Sequence, residues 1–279
     1  MFESRRIIWA LMLLLAFSVS LSYAQDNELS RFKNLEGKID IAGGTAHIPV
    51  MTEAAEQIMK VNPKIRITVA GGGSGVGVQK VGAGLVDIGN TGRPLTPAEI
   101  SKYGLKTFSF AIDGVAVAVN PKNSVGALTS QQVRDIFAGK IKNWQGVGGS
   151  DAPIHLFTRD EASGTRETFW KKLLNKGPID ATANIVASNG AMKLALAQDP
   201  QAIGYLGIGF VDQKVKALKL DGAEATQENA KSGAYKVTRL LYMNTKGEPK
   251  PLVRAFIDYI KGPAGAKIIQ KHGFIPTQK

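Results

Sequence analysis

Apolar and β-branched runs alternate with stretches of helical period along most of this chain. Strands are expected over 38–42, 65–69 and 86–89. Each feeds a helical stretch: 48–61, 78–83, and the run opened by Thr96-Pro97-Ala98-Glu99. In that run Thr96 is a good N-cap, Pro97 fits the first turn, and Glu99 stands where a capping box needs it. Pro49 is acceptable early in the helix over 48–61, with Thr45 or a neighbour as its cap. Two β-type runs, 106–112 and 114–119, flank Asp113-Gly114. A helix over 129–138, capped by Thr129 or Ser130, precedes a glycine-rich loop over 139–151 that holds Trp144. A strand over 154–157, helices over 166–174 and 190–198, and strands over 202–205, 215–220 and 237–243 follow. Helices over 253–260 and 264–271 close the chain. Such alternation predicts an α/β fold with mainly parallel sheets flanked by helices. The 279 residues suit two lobes better than one.

The first 24 residues stand apart from this pattern. Arg5 and Arg6 precede a short apolar stretch over 7–17, and Ser22-Tyr23-Ala24 has the small-x-small form of a cleavage site. The stretch is too short to favour a membrane span. A mature chain beginning at Gln25 and exported to a periplasm is expected. There is no cysteine, so neither a disulfide nor a lipid-anchoring thiol can form. The formal charge is +12, but the lysines are spread among acids, with no basic run interleaved with aromatics. Nucleic acid is therefore not an expected partner.

One local pattern recurs four times. A strand ends in glycine and a hydroxyl residue, then a helix begins: Gly43-Gly44-Thr45, Gly73-Ser74-Gly75, Asn90-Thr91-Gly92 and Ser163-Gly164-Thr165. In open α/β sheets ligands bind beyond the carboxyl ends of strands. Helix starts offer unpaired N–H groups to anions. Glycine admits close backbone approach, and hydroxyls donate without adding charge. Arg159, four residues before Ser163, can bring a fork of donors to the same point. Together these suit a small oxyanion. The glycine clusters match neither G-x-G-x-x-G nor a Walker Gly-Lys-Ser/Thr, and no G-x-S-x-G elbow surrounds Ser74 or Ser163. His47, His155 and His272 stand at no metal-binding spacing. His47 is read as a solvated helix-start residue, a cleft-lining role being the alternative. His155 is assigned to a strand, and Trp144 and Trp170 to packing.

These residues resemble the phosphate-binding subunits of ABC transporters. The likeness is carried by Gly44-Thr45, Gly72-Gly73-Ser74-Gly75, Asp87-Ile88-Gly89-Asn90-Thr91-Gly92-Arg93, and Arg159 with Ser163-Gly164-Thr165-Arg166. It implies a two-lobe periplasmic binding fold of type II with a two-strand hinge. Lobe one would hold 25–118 with 236–279, and lobe two 119–235. By position, Thr45, the Ala46 N–H, Ser74, Thr91, Gly92, Arg159, Ser163, the Gly164 N–H and Thr165 would surround the ligand. The implied ligand is inorganic phosphate, handed to an ABC-type permease by a monomer that needs no cofactor or metal and breaks no bond. One departure matters. Relatives carry an aspartate or a hydroxyl residue where this chain has Gly92. An aspartate there accepts the proton of hydrogenphosphate and repels sulfate. Gly92 has no side chain to do so, and Thr91 is the neighbouring group expected to accept the proton weakly. Asp87 is expected to pack or cap. Another tetrahedral oxyanion (sulfate, arsenate or tungstate), a sensor role, and a secreted phosphatase on the same fold are the alternatives.

Overall fold

The computed structural model describes residues 28–277; the expected leader over 1–24 lies outside them. In chain order the strands are β1 (Gly37–Gly43), β2 (Ile65–Gly72), β3 (Ile88–Thr91), β4 (Leu105–Val119), β5 (Ala127–Leu128) and β6 (His155–Arg159). They continue as β7 (Asn184–Val186), β8 (Ala202–Gly207), β9 (Lys216–Ala217), β10 (Lys219–Leu220), β11 (Thr238–Lys246) and β12 (Ile275–Pro276). The helices used below are α1 (Ile48–Val61), α2 (Ser74–Gly82), α3 (Pro97–Tyr103), α4 (Ser130–Phe137) and α5 (Gly164–Lys172). They are followed by α6 (Asn189–Gln198), α7 (Gln227–Ser232), α8 (Pro251–Lys261) and α9 (Pro263–Lys271).

The main sheet runs in the order β2-β1-β3-β11-β4-β8-β6-β7. It is parallel toward each edge, where β1 pairs with β2 and β3, and β6 with β7 and β8. It is antiparallel in the middle, where β11 meets β3 and β4, and β4 meets β8. Two main cores form on this frame. One joins Ile39, Ile41 and Ile67 to Val50, Ala54 and Ile58 of α1 and to Leu252, Phe256 and Ile260 of α8. In both helices those residues are spaced by four, so each buries one stripe against the sheet. The other core joins Val117, Val119 and Tyr205 to Val133 and Phe137 of α4 and to Phe169 of α5. Tyr205 stacks on Phe169 with centroids 4.0 Å apart.

Strand β4 connects the two cores. It pairs with β11 as far as Gly114 and with β8 from Val115 onward. The sequence suggested two runs around Asp113-Gly114; the structure has one unbroken strand of 15 residues. Asp113 is buried, and its carboxylate takes Arg239 of β11, its cross-strand partner. A second difference concerns the glycines after β2. Gly72 and Gly73 have φ of 123° and 89°, but α2 starts at Ser74, with Gly75 and Gly77 inside it. A Cβ on Gly77 would stand 2.5 Å from the Asn90 carbonyl oxygen, so only glycine lets this helix lie so close to β3. The capping box expected at Thr96 and Glu99 is present on α3.

Candidate anion-binding site

The four strand-to-helix turns come together on one small cavity. Gly44, Thr45, Ala46 and His47 line it between β1 and α1. Gly73 and Ser74 line it at the start of α2, and Gly92 just beyond β3. From the other core come Arg159 at the end of β6 and Ser163, Gly164 and Thr165 at the start of α5. Arg239 of β11 completes the wall. Helices α2 and α5 both begin here, so their free N–H groups and positive dipole ends favour an anion.

The hydroxyls are arranged as donors. Thr45 Oγ1 accepts from the Asn189 side-chain amide at 3.0 Å. Ser74 Oγ accepts from the Gly92 N–H at 2.9 Å. Ser163 Oγ, the N-cap of α5, accepts from the Arg166 N–H at 3.2 Å. Thr165 Oγ1 takes a longer contact of 3.4 Å from Asn189. Each accepts from the protein, and none has a protein acceptor for its own proton among the described residues. That leaves the protons for whatever occupies the cavity.

Arg159 is 2% exposed. Its Nη2 donates to the Ala187 carbonyl at 3.0 Å, while Nε and Nη1 have no partner among the described residues. Burial presses its pKa below the usual arginine value, against a smaller opposing pull from Asp160. No carboxylate lines the cavity among the described residues. An uncompensated buried ion costs several kcal/mol. A bound anion would offset that cost and fill the two free donor positions.

Of the nine residues expected around the ligand, all but Thr91 line the cavity. Thr91 is buried behind the wall; its hydroxyl donates to the Arg93 carbonyl at 2.9 Å and accepts from Asn244 at 3.1 Å. It is thus occupied on both sides and not placed to meet a ligand. Asp87 lies outside the cavity and caps no helix; its carboxylate accepts the Asp40 N–H within β1 at 3.0 Å and faces Lys250 Nζ at 3.4 Å. Arg166 stays outside the cavity. His47 is corrected: it is fully buried and lines the cavity, not a solvated helix-start residue. The chain bends through Ala46 and His47 before α1, which turns the ring inward against Phe110. Thr45 does not cap α1; His47 occupies that position without a side-chain cap bond.

Two residues of the site went unread. Arg239 sits on the inward face of β11 in phase with Leu241 and Met243, and that alternation was the available signal. Its Nε and Nη2 both donate to Asp113 Oδ2, at 3.0 and 2.7 Å. It also explains Gly92. The backbone there is not left-handed, but an added Cβ would stand 2.6 Å from Arg239 Nη1. Asn189, at the start of α6, is fully buried; its side-chain amide ties Thr45 to Thr165, and its Oδ1 accepts the Gly207 N–H at 3.1 Å. Two further contacts join the cavity's opposite walls: the Gly75 N–H to the Ala162 carbonyl at 3.0 Å, and Arg93 Nε to Glu167 at 2.9 Å. Among the described residues no cluster of His, Asp and Glu could hold a metal, and no helix is long and apolar enough to cross a membrane.

A two-lobed sheet with an anion cavity between its cores is the architecture of a binding protein, and residues 33–263 match the family model of the PBP superfamily domain. Similarity narrows this further. The phosphate-binding protein PstS of Bacillus subtilis (strain 168) is 38% identical over 244 residues, spanning 86% of this chain and 81% of that protein. The chain belongs to the PBP superfamily and, within it, to the family of PstS phosphate-binding proteins. Among solved structures, a substrate-binding protein from Clostridium perfringens with bound phosphate is 34% identical, with a TM-score of 0.82 over 87% of this chain and all of that one. An ABC-type phosphate transport receptor from Vibrio cholerae is also 34% identical, with a TM-score of 0.69 over 85% of this chain and 99% of that one.

Proposed function

We propose that this protein captures inorganic phosphate between its two lobes and delivers it to an ABC-type permease, breaking no bond. The observation that carries the reading is Arg159: a buried guanidinium with two free donor nitrogens, facing four hydroxyls whose protons have no protein acceptor. The relatives named above, binding proteins and a transport receptor for phosphate, support it. We place Thr45, Ala46, Ser74, Gly92, Arg159, Ser163, Gly164, Thr165 and Arg239 around the ligand. The lobes would hinge where β4 passes from β11 to β8, at Gly114 and Val115, and where β11 begins. Those points lie a few residues from the boundaries first set at 118 and 236. The leader-like segment over 1–24 supports export to the periplasm, where the protein would act as a monomer.

A second reading has its own support. A cavity of donors without a carboxylate also suits an oxyanion that carries no proton, such as sulfate or tungstate. Titration calorimetry with phosphate, sulfate, arsenate and tungstate separates the two. Phosphate is expected to bind tightest, and the absence of heat from all four at micromolar protein would sink both.

A further inference from the structure

Hydrogenphosphate differs from sulfate by one proton, and something in the cavity must accept it if the two are to be told apart. Gly92 has no side chain, Thr91 is occupied, and the four lining hydroxyls each already accept a protein N–H and are left to donate. Arg159 and Arg239 can only donate. Each hydroxyl keeps a spare lone pair beside its own proton, so His47 is the one lining side chain that can present an acceptor atom carrying no proton.

We propose that His47 is the specificity-determining residue of this cavity, its bare ring nitrogen accepting the P–OH proton of hydrogenphosphate. The proposal rests on the phosphate reading above. The ring is fully buried and lines the cavity; neither ring nitrogen makes a well-formed hydrogen bond among the described residues, although the backbone carbonyls of Tyr242, Thr91 and Gly44 act on it. One N–H can serve those carbonyls, but the other nitrogen, left without a partner, is costly unless a ligand meets it. The ring packs at a tilt against Phe110, with centroids 5.4 Å apart, which restricts its orientation.

The surroundings select the neutral form. The groups acting on the ring are the Arg239 guanidinium and the backbone carbonyls of Tyr242, Thr91 and Gly44. Asp113 stands behind Arg239 and is held by it. Burial, with a smaller push from Arg239, lowers the imidazole pKa to about 3, so the ring stays uncharged at neutral pH. A neutral imidazole carries one N–H and one bare nitrogen. A neutral ring has one N–H to give these carbonyls, and its other nitrogen stays bare, with a lone pair. A P–OH group can donate to that lone pair. A sulfate oxygen in the same place meets it lone pair to lone pair and is repelled.

The test uses the mature protein and two anions. Wild type is expected to bind phosphate more tightly than sulfate. In His47→Phe, phosphate affinity falls by roughly tenfold or more, while sulfate affinity holds or rises as the repelling lone pair is lost. Because a buried substitution can disturb the fold, the wild type is also read directly. Of its three histidines, His155→Gln and His272→Gln assign the other two in a ¹⁵N-histidine NMR spectrum. Phosphate, and not sulfate, is expected to shift the bare-nitrogen resonance of His47. A resonance unmoved by saturating phosphate overturns the role, as does an equal loss of both anions in His47→Phe or equal wild-type affinity for both. If wild type binds neither anion, the phosphate reading itself fails, and this role with it.

Discussion

Asp113 and Arg239 face each other across β4 and β11 where the chain passes between the two cores, and both guanidinium contacts fall on one carboxylate oxygen. The pair is buried, and the same guanidinium lines the anion cavity. It therefore ties the joint between the lobes to the site. Asp113→Asn leaves Arg239 buried without its counter-charge. Breaking one side of such a pair is expected to cost about 3–5 kcal/mol in phosphate-free buffer, measured by urea denaturation. A change within about 1 kcal/mol would show the pair to be screened by water.

Arg159 should behave in the opposite way. It has no carboxylate partner, so its burial is a cost until an anion arrives. Arg159→Ala is expected to weaken phosphate binding by roughly tenfold or more. The phosphate-free protein should be no less stable than wild type, because the uncompensated buried ion is gone. Calorimetry and a Tm in phosphate-free buffer check the two halves separately. Unchanged affinity would remove Arg159 from the site.

How much of this was legible beforehand follows from the range of the signals. Strand-to-helix turns carry local cues, so Thr45, Ser74 and Ser163-Gly164-Thr165 could be picked out from glycines, hydroxyls and helix starts. Arg159 was legible because it lies four residues from its turn. Arg239 is remote in sequence, and its meaning comes from facing Asp113, 126 residues away. Asp113 itself was misread as a break, since Asp-Gly is turn chemistry unless a cation compensates the buried carboxylate. His47 was misread because a histidine at a helix start is usually solvated. Only the packing of Phe110 and β11 around it shows otherwise. Asn189 gave no local signal, because its partners Thr45 and Gly207 come from distant turns.

Gly92→Asp is expected to sharpen the preference for phosphate over sulfate, though not freely. The new side chain would begin 2.6 Å from Arg239 Nη1, and Arg239 is pinned by Asp113. The carboxylate would pair with that guanidinium and lower the positive charge felt by the anion. Both affinities should fall, with sulfate losing more because it has no proton to give in return. Competition calorimetry yields the ratio. An unchanged ratio would mean that the added carboxylate turns away from the cavity.

The burial of His47 also shapes stability against pH. Its folded pKa lies near 3 and its ordinary value is 6.5, burial being the main cause. Above pH 6.5 the ring is neutral in both states and contributes no pH dependence. As pH falls below 6.5 the unfolded chain takes up a proton that the folded chain refuses. Stability is therefore lost at up to about 1.4 kcal/mol per pH unit until the folded ring also protonates. Urea midpoints in phosphate-free buffer between about pH 7 and pH 5 should drop more steeply for wild type than for His47→Phe, which has no ring proton to exchange. Parallel slopes for the two proteins would show that the imidazole is open to water in solution, and the neutral acceptor assigned to it would have to be given up.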